Sequence, residues 1–209
     1  VTSENFYIKA QLYAEKNFFP GSTQKKSFLS SVLDQMLLAL PDIDPNKLLD
    51  RLNAALNQKQ MVLYSKDPQL QNVFEEKYWS GSILSPECTV AVSVPCIPDY
   101  LYQLDANLVV NKANFFVQRP TSLKVTIDTK GAITNALEIT YQNDSHPNVF
   151  PGGIYKNYFQ VLLHPNSLIQ SVQVDGEAIN DFSETNFTYK TIGFLIEIPP
   201  QEKRLVKIV

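Results

Sequence analysis

The stretch Asp105–Pro120, DANLVVNKANFFVQRP, decides how the chain is read, because the apolar period is helical before it and alternating after it. Downstream, Leu123, Val125 and Ile127 fall on one side of an extended chain, while Lys124, Thr126 and Asp128 fall on the other. Lys130–Gly131 turns the chain back into Ile133, Leu137, Ile139 and Tyr141, which predicts a hairpin. Phe159, Val161 and Leu163 alternate again, and Val172 and Val174 lead to Asp175–Gly176, a pair suited to the positive φ of a tight turn. Ile192, Phe194, Ile196 and Ile198 predict a further strand, and Leu205–Val209 one that pairs back after Pro199–Pro200. About seven short strands over roughly 100 residues predict an antiparallel, immunoglobulin-like β-sandwich over 105–209. The cysteines and Trp79 do not follow the disulfide pattern of antibody domains, so only the architecture is implied.

Upstream the signals are helical. Phe6, Ile8, Leu12 and Tyr13 form a first apolar stripe after Thr2 or Ser3, ending at Phe18-Phe19-Pro20-Gly21. Phe28, Leu29, Val32, Leu33, Met36, Leu37 and Leu40 line one face of a second helix, capped by Ser22 or Thr23 and stopped by Pro41. Asp44-Pro45 and Asp67-Pro68 each place a capping carboxylate before a proline at the first helical position. The first opens a helix carrying Leu48, Leu49, Leu52, Ala55 and Leu56, and the second a helix carrying Leu70, Val73, Phe74 and Tyr78. Met61–Tyr64 between them predicts a short buried strand. The reading is α+β: residues 1–80 a helical segment forming the C-terminal part of an upstream α/β domain, 81–104 a connecting loop, and 105–209 the sandwich. The start at Val1, directly on a helix signal, leads us to expect an N-terminal portion upstream that would hold any anchor or export signal.

Composition narrows the function classes. A formal net charge of -3 with both signs dispersed offers no basic patch for a phosphate backbone, which argues against nucleic acid. With fifteen Lys and only three Arg (Arg51, Arg119 and Arg204), no Arg cluster is available to grip phosphate through bidentate forks. No apolar run is long enough to suggest a membrane span.

Candidate chemistry is sparse. Cys88 and Cys96 lie in a proline-punctuated segment, where a straight strand would hold them about 26 Å apart and a folded loop would let them join at its base. Neither cysteine has ligand spacing to His146 or His164, and no metal or cofactor site is expected. His146 and His164 read as surface residues, and Glu75-Glu76 and Asp42/Asp44 as solvated or capping carboxylates rather than acid/base pairs. The loop Asn143–Ile154, NDSHPNVFPGGI, mixes polar, aromatic and Gly-Gly residues as recognition loops do. Asn143-Asp-Ser145 and Asn186-Phe-Thr188 match the glycosylation sequon. Lys112 and Arg119 are seven apart, so on one continuous strand they face opposite ways and form no joint anion site unless a bulge intervenes.

The run DYLYQLDANLVVNKANFFVQR, with QMVLYSKDPQLQNVFEEKYWSG before it and GGIYKNYFQVLLHPNS after it, resembles the C-terminal half of the bacterial domain-of-unknown-function family 4012. The resemblance covers about residues 45–209. It assigns Asp105, Asn107, Asn111 and Lys112 to the family's core pattern and Tyr155, Asn157 and Tyr158 to a later strand. Gln160 departs from that pattern, where Arg is common, and this counts against an anion-binding role for the strand. The resemblance implies an exported, envelope-associated protein that is membrane-bound only through a preceding anchor. An oxidising compartment in turn favours a Cys88–Cys96 disulfide.

The expected function is therefore a non-catalytic extracytoplasmic module of a bacterial cell-envelope protein, either structural or binding a glycan or a protein. Asn111, Lys112, Asn143, Asp144 and Tyr155 are its candidate binding residues. The alternative is one wall of an envelope glycopolymer transferase of the LytR-CpsA-Psr type, with the catalytic half lying upstream. That is an analogy of family, not of site.

Overall fold

The computed structural model describes residues 2–15, 24–83, 96, 98–109 and 111–209. It divides into two compact units, Val1–Leu84 and Ser85–Val209.

Among the described residues the first unit holds four α-helices: α1 (Phe6–Glu15), α2 (Gln24–Ala39), α3 (Pro45–Asn57) and α4 (Pro68–Glu76). The Asp-Pro signals act as their chemistry dictates. The Asp44 carboxylate accepts from Asn46 N–H and the Asp67 carboxylate from Gln69 N–H, both at 2.9 Å, while the prolines occupy positions whose N–H has no helical partner. The caps read at Ser22 and Thr23 lie outside the described residues. On α3 only Leu56 of the anticipated apolar side is buried, whereas Leu49 is exposed. The strand expected at Met61–Tyr64 is reduced to one parallel bridge between Leu63 and Ser80, with Met61, Val62 and Tyr64 exposed. Among the described residues no second strand lies beside it, and this stretch gains a single bridge rather than a ladder.

The second unit is built from β1 (Leu101–Asn107), β2 (Val117–Gln118), β3 (Thr121–Ile127), β4 (Ile133–Asn143), β5 (Tyr155–Leu163), β6 (Val172–Val174), β7 (Glu177–Ala178), β8 (Ser183–Asn186), β9 (Lys190–Ile198) and β10 (Lys203–Ile208). All ladders among these strands are antiparallel. One sheet runs β1-β5-β9-β8; the other runs β2-β4-β10-β6-β7, with β3 also paired to β4. The α+β class is thus observed. The hairpin at Lys130–Gly131 forms, with Gly131 at φ 82°, and Asp175 and Gly176 adopt φ 54° and 85° in the β6–β7 turn. β10 does not return alongside β9; it crosses to the other sheet, between β4 and β6.

Alternation on the long strands builds a core shared by both sheets. Phe159 and Val161 from β5 and Ile192 and Phe194 from β9 meet Leu137, Ile139 and Tyr141 from β4 and Val206 and Ile208 from β10. Among the described residues there are ten strands against about seven expected, because β2, β7 and β8 are too short to show a period. β1 begins at Leu101, inside the stretch read as a connecting loop, so the sheet unit starts earlier than 105. The strand is disguised because its pattern is inverted. In register with β5, Gln103, Asp105 and Asn107 share the face of the core residues Val161, Phe159 and Asn157, while Tyr102 and Leu104 point outward and are exposed.

β2 and β3 form one edge of β4 in unbroken register, since Gln118 faces Gln142 and Thr121 faces Ile139. Arg119 therefore stands opposite Tyr141. Pro120 supplies no N–H but its carbonyl accepts from Thr140 N–H at 3.0 Å, so the ladder continues through a residue that cannot donate.

Candidate functional site

The inverted face of β1 and the inward Arg119 bring polar side chains together where the edges of the two sheets approach. Arg119 Nε lies 2.8 Å from Asp105 Oδ2 and donates to Tyr141 Oη at 3.2 Å, and Arg119 Nη2 donates to Gln103 Oε1. Tyr141 O–H and Asn157 Nδ2 both donate to Asp105 Oδ1, at 2.7 and 2.5 Å. Asn157 Oδ1 accepts the backbone N–H of Ala106 at 2.9 Å. The Asp105 and Arg119 side chains are 22% and 29% exposed, so the pair is shielded yet open on one side.

That open side is a cleft of about 450 Å³ bounded by Asp105, Asn107, Asn111, Lys112, Arg119 and Tyr155. Its rim is braced by amides. Asn107 Nδ2 donates to Asn111 O at 3.0 Å and to Asn111 Oδ1 at 3.2 Å; Asn111 Oδ1 also accepts Ala113 N–H, and Asn111 Nδ2 donates to Ile154 O at 2.9 Å. Gly153 sits against this brace at φ 134°, where an added Cβ would lie 2.9 Å from Asn111 Nδ2. The Asn111 side chain therefore depends on glycine in the loop.

Burial pushes the Tyr155 phenol well above its usual range, reinforced by the Asp105 charge and opposed by Arg119. Tyr141 is raised in the same direction, first by burial, with its Asp105 hydrogen bond adding to the effect and its Arg119 hydrogen bond opposing it. Both phenols are consequently neutral donors at ordinary pH. Tyr155 is only 4% exposed and lines the cleft, yet among the described residues its O–H donates to no protein acceptor.

Three of the five residues anticipated from sequence, Asn111, Lys112 and Tyr155, line this cleft. Asn143 and Asp144 do not. Asn143 is fully buried because its Nδ2 ties Gly153 O and Ile198 O together at 2.8 and 2.9 Å, which also removes it as an accessible sequon. Asp144 accepts from Gln118 and Gln142 away from the cleft. The separation of Lys112 from Arg119 is corrected as well. A short 3-10 helix over Ala113–Phe116 interrupts the strand, so alternation cannot be counted from 112 to 119, and both cations reach one cleft. Gln103, Asp105, Arg119 and Tyr141 were missed as one cluster, although polar residues at i, i+2 and i+4 in β1 carry its signal.

A second cavity of about 570 Å³ opens at the other end of β4 and β5, lined by Leu101, Ile133, Leu137, Leu163, Ile169 and Ile208 among others. It continues the hydrophobic core, and among the described residues its lining has no comparable set of charged groups, so we assign the site to the smaller, polar cleft. His164 borders this cavity, with Nδ1 accepting Asn166 N–H at 3.2 Å. Cys96 is disulfide-bonded; Cys88 lies outside the described residues. Among the described residues, no cluster of three or more His, Cys, Asp or Glu is placed to hold a metal ion, and no helix is long and apolar enough to cross a membrane.

No protein-family model, curated protein or solved structure matches this chain.

Proposed function

We propose that the chain is a non-catalytic binding module of an exported bacterial cell-envelope protein, with the cleft between β1 and β2 as its glycan-recognition site. The convergence of amide, ammonium, guanidinium and phenol groups around one braced opening carries this reading, because oriented polar groups in a concavity are what recognition of a polar ligand requires. The resemblance to family 4012 supplies the extracytoplasmic setting, and its marker residues Asp105, Asn107, Asn111 and Lys112 are the ones that border the cleft. The immunoglobulin-like description of the two sheets belongs to the same proposal, supported by antiparallel pairing and a shared core.

Pull-down of fractionated bacterial envelope with the 209-residue chain tests it. We expect retention of a polysaccharide fraction that is lost with Lys112→Glu; retention of none refutes the binding role. A second reading, in which the cleft is one wall of an envelope glycopolymer transferase, draws on Lys112 and Arg119 sharing one opening. It requires turnover of a lipid-linked glycan by the protein extended upstream, and lack of turnover ends it.

A further inference from the structure

We propose that the larger cavity, at the other end of β4 and β5, binds a cationic amphiphile: an apolar chain carrying a primary ammonium that pairs with Asp99. The assignment is independent of the glycan reading, since it uses none of the residues of the polar cleft.

The floor of this cavity is core. Leu137, Val161 and Ile208, from β4, β5 and β10, are buried, and Leu101, Leu163 and Ile169 extend the apolar wall. Close packing leaves few voids larger than a water molecule inside a domain. About 570 Å³ is far more than such a void and falls in the range of ligand pockets. The mouth is open, with Ile133 and Leu168 on its rim 43% and 83% exposed. An apolar chain entering there covers surface on both the floor and the rim.

Charge sets the head group. Among the described residues, Asp99 is the only carboxylate in the lining and no Lys or Arg borders it; residues 84–97 contain neither Lys nor Arg in sequence. His164 also lines the cavity, but its Nδ1 accepts Asn166 N–H, a role that only the neutral ring can fill. No ion pair among the described residues includes Asp99.

The carboxylate is nonetheless held in place. Tyr100 N–H donates to Asp99 Oδ1 at 2.8 Å, and Asn135 Nδ2 donates to Asp99 Oδ2 at 2.7 Å. Asn135 lies two residues before Leu137 on the inward face of β4, and its own Oδ1 is buried without a hydrogen-bond partner. Turning the amide over would set that oxygen against the carboxylate, so the fold leaves one acceptor unpaired to keep Asp99 oriented. A chain filling the cavity strips water from one side of this carboxylate, and an ammonium head restores the hydrogen bonds that water supplied. An anionic head would meet like charge.

The test is a titration of the full chain with octylammonium, 1-octanol and octanoate, probes that share one chain length, followed by NMR of backbone amides and methyl groups. Saturable shifts at Leu101, Asn135, Leu137 and Ile208 are expected, with affinity falling from octylammonium through octanol to octanoate. Asp99→Asn should weaken octylammonium binding by about fivefold, the scale of a solvent-exposed ion pair, and leave octanol binding unchanged. Asp99→Lys should reverse the order of octylammonium and octanoate. Unchanged octanol binding shows that a variant has kept its fold; should a variant unfold, the order of the probes on the unaltered chain still decides. Equal affinities for all three probes would mean a merely apolar cavity and overturn the ammonium assignment, as would an Asp99→Asn chain that keeps the octylammonium preference. Shifts absent from the lining residues, or spread without saturation over the whole chain, overturn the site itself.

Discussion

The helical and the two-sheet units both carry strong apolar periodicity, but only the second closes it. In α2, Leu33, Met36 and Leu37 are 55, 62 and 54% exposed, whereas Phe159, Val161, Ile192 and Ile139 in the sheets are fully buried. A strand face of alternating residues finds its complement in the opposite sheet of the same unit. The helical stripes have the right spacing and stay largely uncovered. Periodicity thus specifies an element and its inner face, while burial depends on whether a second face is supplied.

The largest effect should come from cutting into the closed unit. Phe159→Ala removes a ring that packs edge-on against Tyr141 and Phe194, and we expect a loss of about 4 kcal/mol from the urea-unfolding transition of the sheet unit. Leu37→Ala in α2 should change stability by only about 0.5 kcal/mol, because a half-exposed side chain has less to lose. Similar penalties for the two substitutions would break the comparison, since they would show Leu37 to be covered in solution.

The next test concerns the polar edge of the closed unit. Asp105→Ala leaves Arg119, Tyr141 and Asn157 with donors and no shared acceptor, and a cost of about 2 kcal/mol is expected from the same unfolding measurement. Asp105→Asn should cost less, because an amide oxygen keeps part of the network. If Asp105→Ala is as mild as a surface change, the cluster contributes nothing to the fold and exists for binding alone.

What could be read from the chain follows the same division. Long alternating runs such as Phe159–Leu163 and Ile192–Ile198 and turn chemistry such as Asp175–Gly176 fixed most of the sheets, because each rests on local geometry. β1 was hidden because Gln103, Asp105 and Asn107 point inward and mimic a polar loop. The site was half legible: Asn111, Lys112 and Tyr155 entered through the family resemblance, but Arg119 was separated from Lys112 by a parity rule that the 3-10 helix at Ala113–Phe116 breaks. Asn143 read as a binding residue of the loop, yet its role of tying Gly153 to Ile198 depends on three segments that no local pattern connects.

Glycine in the loop sharpens the contrast between an ordinary turn and one that supports the site. Gly153→Ala meets both an unfavourable φ and the Asn111 amide at 2.9 Å, so we expect about 1.5 kcal/mol of destabilisation together with displaced amide signals at Asn111 and Ala113. Gly131→Ala meets nothing within 4 Å and should cost only about 1 kcal/mol, from its positive φ, without disturbing the cleft. Displaced signals in both variants would mean that the loop and the hairpin turn do not differ in their link to the site.

The smallest effect is a pH dependence confined to the polar edge. A phenol ordinarily ionises near pH 10, and burial raises both Tyr141 and Tyr155 above that value in the folded chain. The native state then holds protons that the unfolded state releases, so stability from this source is complete below about pH 10 and falls as pH rises through the folded values. Tyr155→Phe has no such proton to hold. Urea midpoints at pH 9 and pH 11 should therefore fall further for the unaltered chain than for Tyr155→Phe, with the lysines contributing equally to both and cancelling in the difference. Equal falls would show that the Tyr155 phenol ionises in the folded state as it does in water, and so that burial does not raise it.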